Sequence, residues 1–199
     1  MTLEEMLAKT DKRQATFRIM VEHLKTFENP LIIETGCARP PHKDWGSEAV
    51  SFKDEGWSTR LFDAYINEYS GEFHSVDITQ EHVDFARSIV SEQTQIHCDD
   101  SVGFLWAANE NLAEQDLYVD LLYLDSYDYE ESTPWESPAH HLKELTSIIS
   151  RLRPGSMVAV DDNFGNIENR KGKGAFVEEF MRSIGKPLLY DGYQLIWKF

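Results

Sequence analysis

Apolar side chains recur at near-helical spacing from the first residues: Leu3, Met6 and Leu7, then Phe17, Met20, Val21, Leu24 and Phe27, as far as Asn29-Pro30. Thr2 and Glu5 have the spacing of a capping box, so the pattern predicts an amphipathic helix broken near Thr10. The pattern then changes to short β-branched or apolar runs: Leu31-Ile32-Ile33, which ends at Glu34-Thr35-Gly36, then Phe73 to Asp77, Gln95 to Cys98, Tyr118 to Asp125 and Met157 to Asp161. Between them lie helical patterns over Thr59 to Tyr69, Gln80 to Val90, Ser101 to Leu112 and Pro138 to Leu152, the last followed by Pro154-Gly155. Strands alternating with helices of this length imply right-handed crossovers and a parallel sheet covered on both faces. The chain closes with a helix near Gly174 to Ile184 and two strands, Pro187 to Tyr190 and Tyr193 to Phe199, around an Asp191-Gly192 turn. The expected fold is α/β: a doubly wound, mostly parallel, seven-stranded Rossmann-like sheet with an antiparallel C-terminal strand. Residues 1–29 are expected to form an N-terminal helical extension, a candidate dimer element or cover on the ligand site, and residues 30–199 the α/β domain.

Composition narrows the range of partners. With 199 residues the chain suits one domain, and 35 acidic against 19 Lys and Arg side chains give a formal charge of -16. Such a surface repels phosphate backbones and anionic lipid heads, so neither nucleic acid nor membrane is expected as a partner. The basic cluster Arg170, Lys171 and Lys173, with Arg182 and Lys186 further on, is too small to reverse that field. No apolar run approaches the roughly 20 residues needed to span a bilayer, and Cys37 and Cys98 match no metal-binding spacing. The expectation is a soluble, cytoplasmic protein with two reduced thiols.

In an open α/β sheet, ligands bind beyond the carboxyl ends of the strands, so polar residues there carry the chemical information. Gly36 lets the backbone turn sharply after the first strand. Asp77 ends the second, where a carboxylate can accept bonds from both ribose hydroxyls of an adenosine ligand or, alternatively, cap the next helix. Asp99-Asp100-Ser101 follows the third strand, as a helix cap or a contact to an adenine amine. The next two strands deliver Asp125, and Asp161 with Asp162. Adjacent strands lie about 4.8 Å apart, so three carboxylates can converge, and three anions held together raise each other's pKa unless a cation intervenes. Hard oxygen ligands in that number suit Mg²⁺, Ca²⁺ or Mn²⁺. There is no G-x-G-x-x-G to indicate NAD, and Gly172-Lys173-Gly174 has the wrong spacing for a phosphate-binding loop.

The run Leu124-Asp125-Ser126-Tyr127-Asp128-Tyr129-Glu130-Glu131-Ser132-Thr133, with Leu152-Arg153-Pro154-Gly155 and Asp161-Asp162-Asn163, resembles the metal-dependent sugar O-methyltransferases of macrolide (macrocin) and aminocoumarin biosynthesis. The catechol O-methyltransferases are more distant, and the closing antiparallel strand is similar to the sheet of class I S-adenosylmethionine (SAM) methyltransferases. The resemblance implies that Glu34 and Gly36 contact the methionine part of SAM, that Ser58 and Thr59 of Gly56-Trp57-Ser58-Thr59 open the next helix at the cofactor, and that Asp77 holds the ribose. It further implies Asp100 and Ser101 on the adenine side, Asp125 shared between cofactor and metal, and a divalent cation, Mg²⁺ or similar, on Asp125, Asp161 and Asp162. The expected reaction is methyl transfer to a small-molecule hydroxyl, on a sugar or a phenol, with Asp128 as general base and His140 or His141 in reserve. Trp45, Trp57, Tyr127, Tyr129 and Trp135 are candidate stacking surfaces for the acceptor.

Two features depart from the family. The stretch from Cys37 to Glu55, carrying Arg39, His42, Lys43 and Trp45, separates the first glycine from the Ser-Thr, and reads as a lid or substrate wall. Tyr127 is inserted between the metal-side Asp and the next acid, Asp128. A metal-independent SAM methyltransferase, a non-catalytic SAM- or nucleotide-binding module and an NAD enzyme are the alternatives.

Overall fold

In the computed structural model, residues 1–40 and 57–199 are described, and every structural statement below refers to them. His42, Lys43 and Trp45, the bulk of the expected lid, and Gly56 therefore lie outside the described residues.

The N-terminal segment breaks where the sequence predicts: α1 (Leu3–Leu7) carries the Thr2/Glu5 capping box, a 3-10 turn spans Asp11–Arg13, and α2 (Gln14–Leu24) follows. Strands β1 (Leu31–Thr35), β2 (Glu72–Asp77), β3 (Gln95–Cys98), β4 (Leu121–Leu124) and β5 (Met157–Val160) alternate with α3 (Ser58–Glu68), α4 (Gln80–Ile89), α5 (Ser101–Glu114) and α6 (Glu136–Ile148). A short hairpin, β6 (Asn163–Phe164) with β7 (Lys171–Gly172), precedes α7 (Ala175–Ser183), β8 (Leu188–Tyr190) and β9 (Leu195–Lys198). The sheet runs in the order β3-β2-β1-β4-β5-β9-β8, and only β9 opposes its neighbours. This is the doubly wound, seven-stranded arrangement expected. The β6–β7 hairpin has no counterpart in the periodicity, because two residues per strand are too few to show alternation. The Asp-Gly turn is also longer than a two-residue connection, since β9 begins only at Leu195.

Period-two alternation sends successive side chains to opposite faces. Ile32, Phe73, Leu121, Tyr123 and Ala159 pack with α1, α2 and α3 in one cluster, while Leu31, Ile33, Leu122, Leu124, Val158 and Val160 pack with α5, α6 and α7 in the other. Leu3, Met6, Leu7, Phe17, Met20 and Leu24 belong to the first cluster, so residues 1–29 are built into the core that supports the sheet. No described helix is long and apolar enough to cross a membrane.

Candidate functional site

The chain runs outward in both directions from β1, to β2 on one side and β4 on the other. At such a switch point the connections leave to opposite faces and open a crevice beyond the strand ends. A cavity of about 340 Å³ lies there, lined by Gly36 to Arg39 after β1, Asp77 at the end of β2, Asp125 and Ser126 after β4, Asp162 after β5, and Arg13, Lys173 and Tyr193. A second cavity of about 330 Å³ shares Asp77, Ile78 and Ser126 with it and is walled by Asp100, Ser101, Tyr127 and His140.

Gly36 is required by its backbone: its φ is +81°, and a Cβ there would stand 2.5 Å from the Asp125 carbonyl oxygen. The Asp77 carboxylate accepts hydrogen bonds from the Cys37 and Thr79 amides at 3.3 and 2.8 Å, with His82 Nδ1 3.3 Å away. It is thus fixed at the junction of the two cavities, while Thr79 holds the cap position of α4. Asp100 takes the cap role: its side chain accepts from the Gly103 amide at 2.8 Å at the start of α5, and it also lines the second cavity. Ser101 Oγ lies 3.0 Å from His140 Nε2 in that same cavity. Cys37 is a free thiol that burial and the neighbouring Asp77 push above its ordinary pKa, and Cys98 is also free.

Four expected site residues are differently placed. Glu34 and Thr59 are fully buried and hold the wall of the cavity without lining it: Thr59 Oγ1 donates to Glu34 Oε2 at 2.7 Å and accepts from the Ala38 amide at 2.8 Å. Ser58, next to them, does line the cavity. Burial drives His141 down to about 4 even though Glu144 pulls it upward, and its ring has no solvent exposure. It is a packed core histidine, with Nδ1 2.8 Å from the Ser137 carbonyl oxygen. His140 sits in the second cavity near Ser101, away from the acidic end, with Nε2 3.3 Å from Glu144. Glu144 is itself buried and also receives Ser126 Oγ at 2.6 Å and Thr35 Oγ1 at 3.2 Å, which ties α6 to the ends of β1 and β4.

Asp125, Asp161 and Asp162 converge as the strand ends predict, with one oxygen from each within 4.8 Å of the others. What the sequence did not reveal is that the chain supplies cations of its own. Arg13, in the 3-10 turn before α2, clasps Asp161 with Nε at 2.8 Å and Nη2 at 2.8 Å and reaches Asp162 at 3.5 Å. Lys173, 1% exposed, has its ammonium in contact with Asp125 Oδ1, 2.9 Å from Asp162 Oδ2 and 3.7 Å from Asp128 Oδ1. Tyr193 donates its hydroxyl to Asp162. Desolvation would lower the Lys173 pKa, but Asp125, Asp162 and Asp161 outweigh it and keep the ammonium charged. Burial raises Asp162, and Lys173, Tyr193 and Arg13 more than reverse this, leaving it at about 2.

As they stand, these residues do not fit an added divalent ion. Mg²⁺ sits about 2.0–2.1 Å and Ca²⁺ about 2.3–2.6 Å from its oxygens, so an ion bridging Asp125 and Asp162 would compete with Lys173 Nζ for one point.

Asp128 lies at the cavity mouth, half-exposed, with Arg39 Nη1 donating to it at 2.9 Å. Burial raises its pKa, but Lys173 and Arg39 together hold it below the ordinary value, which weakens it as a base.

No family model matches the chain, and no curated protein matches it. Solved structures do. The MycE methyltransferase from the mycinamycin biosynthetic pathway, solved with Mg and SAH, superposes with a TM-score of 0.57 at 13% identity over 91% of this chain, which spans only 48% of MycE. CalS11, a TDP-rhamnose 3′-O-methyltransferase of calicheamicin biosynthesis, gives 0.58 at 16% identity over 94% of this chain and 81% of its own. SMU.1697c of Streptococcus mutans, solved in complex with SAH, gives 0.53 at 12% identity over 92% of this chain and 96% of its own. Likeness at these identities is likeness of architecture: the chain has the Rossmann-like fold of the class I SAM-dependent methyltransferases.

Proposed function

We propose that the protein is a SAM-dependent methyltransferase acting on a hydroxyl of a small molecule. One observation carries the reading: two adjoining cavities at the switch point meet at a single fixed carboxylate, Asp77. A carboxylate there suits the two ribose hydroxyls of an adenosine. The adenine would lie in the cavity of Asp100, Ser101 and His140, and the methionine part along Gly36 to Ala38, where Gly36 allows close approach. SAM, when bound, supplies the methyl on a sulfonium.

The chain's own residues would do the rest. Arg39, Asp128, Asp162, Lys173 and Tyr193 line the acceptor end and can orient a hydroxyl by hydrogen bonds. The acceptor must lose a proton for in-line displacement, and Asp125, Asp128 and Asp162 line that end of the cavity. Burial, with repulsion from Asp161 and Asp162, holds Asp125 well above the usual carboxylate range despite the pull of Lys173, whereas Asp128 is depressed. Carboxylates whose environments push their pKa values apart divide the acid and base work between them. Asp125 and Asp128 are therefore the two candidates for the proton-accepting role, and turnover by Asp125→Asn and Asp128→Asn separates them. Divalent-metal assistance, which the acidic cluster and MycE's bound Mg would suggest, is disfavoured by the ammonium already among the carboxylates.

Calorimetric titration of S-adenosylhomocysteine, with Mg²⁺ and again with excess chelator, tests the reading. Micromolar binding in both conditions is expected, and acceptor hydroxyls should then be screened for turnover. No binding in either removes the methyltransferase reading, while binding without turnover on any acceptor favours a non-catalytic module.

A further inference from the structure

Three buried or half-buried carboxylates in one place need counter-charge, because removing one partner of such a set leaves an uncompensated ion in a poor solvent. A bound divalent cation is one solution. This chain shows another, and it is built into the backbone.

Lys173 is delivered by the β6–β7 hairpin, whose geometry is fixed by Asn163. The Asn163 side chain donates to the Val160 and Asp161 carbonyl oxygens at 2.8 and 2.9 Å and accepts from the Gly174 amide at 2.7 Å. The Lys173 amide itself donates to the Asp162 carbonyl at 3.2 Å. Glycine is demanded on both sides: a Cβ on Gly172, at φ +99°, would lie 2.0 Å from the Asp162 carbonyl oxygen, and one on Gly174 would lie 2.5 Å from Asn163 Oδ1. The lysine's main chain is thus locked against Asp162 and Asn163, and its side chain reaches from there to Asp125. Its ammonium meets Asp125 Oδ1 and Asp162 Oδ2 and stands 3.3 Å from the Asp125 carbonyl oxygen, an all-oxygen shell of the kind a hard cation takes. With Arg13 on Asp161, three negative charges face two positive ones, and a divalent ion would turn one net negative charge into one net positive.

We propose that Lys173 is a resident cation standing where a divalent metal would otherwise bind, so that the acidic cluster is assembled and neutralised without metal. The inference deepens the methyl-transfer reading and rests on it only for the use to which the cluster is put. Lys173 acts here as a positioning residue, holding Asp125 and Asp162 together across the ends of β4 and β5.

Mn²⁺ binding, read from the free-ion EPR signal, tests this without any assay of turnover. The acidic surface will hold some Mn²⁺ loosely, so Asp125→Asn provides the background. Wild-type protein is expected to match that background, and Lys173→Ala, checked for folding by circular dichroism, to bind about one further ion per chain. One ion more in wild type than in Asp125→Asn overturns the proposal, as does a folded Lys173→Ala that gains none. If Lys173→Ala fails to fold, Lys173→Gln replaces it, and the comparison of wild type with Asp125→Asn decides independently. Calorimetry with S-adenosylhomocysteine on the wild-type sample keeps the two readings apart: absence of binding there counts against methyl transfer, and the Mn²⁺ count alone decides the role of Lys173.

Discussion

Replacing Glu34 by Gln should stabilise the fold at neutral and mildly alkaline pH and change it little in acid. Glu34 ends β1 in complete burial, with Oε2 accepting from Thr59 Oγ1 at 2.7 Å and Ser75 Oγ at 2.6 Å. Burial raises its pKa from 4.5 to about 7, and the hydroxyl bonds reverse only part of that. In the unfolded chain the same carboxyl titrates near its ordinary value. Between pH 4.5 and 7 the native state therefore holds a proton that the unfolded state has lost, and stability falls as pH rises through that window. Below the window nothing is lost; above it the full cost remains. At about 1.4 kcal/mol per pKa unit the cost is roughly 3 kcal/mol, an upper figure because a glutamine amide forms weaker hydrogen bonds than a carboxylate.

Gln keeps an oxygen for the hydroxyls of Ser58, Ser75 and Thr59 and never ionises, so the pH dependence of the difference between the two proteins reports this one titration. Urea unfolding at several pH values between 4.5 and 8 measures it. With a slope of about 2 kcal/mol per molar for a domain of this size, the Gln midpoint should lead by about 1 M or more at pH 8 and converge with wild type towards pH 4.5. A midpoint difference that stays constant with pH, or a wild-type advantage that grows as pH rises, would refute the reasoning, because either requires Glu34 to ionise at its ordinary value inside the core. The variant should still bind S-adenosylhomocysteine within a few-fold, since Thr59 can hold the Ala38 amide as before.

Two further outcomes follow from the same geometry. Asp77→Ala removes the carboxylate at the junction of the cavities, and loss of even one charge-assisted bond to a ribose hydroxyl is worth about 1.5–3 kcal/mol, so calorimetry should show S-adenosylhomocysteine affinity falling at least about tenfold; affinity unchanged would exclude Asp77 as the ribose ligand. Arg13→Met leaves Asp161, 1% exposed, without its closest cation, at a cost of about 3–5 kcal/mol for a broken buried pair, which for a chain of this length should lower the melting temperature by roughly 10 °C in a calorimetric scan.

Regular elements were legible because their burial is periodic. Ile32 faces one core cluster while Leu31 and Ile33 face the other, and the same alternation in β4 and β5 announces a sheet covered on both sides. The acids at strand ends were legible for a related reason: in this architecture the position after a buried run is a position in the crevice, so Asp77, Asp125 and Asp162 could be assigned to a site before any contact was known. Thr59, Glu34 and His141 lie buried and outside the cavity lining; sequence order cannot distinguish a residue that lines a wall from one packed behind it. Lys173 carried a signal that could have been used. A lysine between two glycines, ten residues after an Asp-Asp-Asn, offers backbone freedom on both sides of a single cation, a pattern distinct from a phosphate-loop spacing.

The expectation of a metal shows where such reasoning stops. Its premise, that three converging carboxylates need a cation, holds in the structure; the source of the cation is what the sequence conceals. Arg13 is 148 positions from Asp161 and Lys173 is 48 from Asp125, and neither lies on a strand whose end points at the crevice. Charge compensation by side chains is decided by tertiary contacts of this kind, whereas strand-end acids are decided by topology. On the proposal that Lys173 stands in for the ion, a chain of this fold keeps the acids and takes its cation from one lysine on a hairpin beside them. The consequence is chemical as well as structural: an ammonium in hydrogen-bond contact with two carboxylates neutralises and positions them but offers no vacant coordination site.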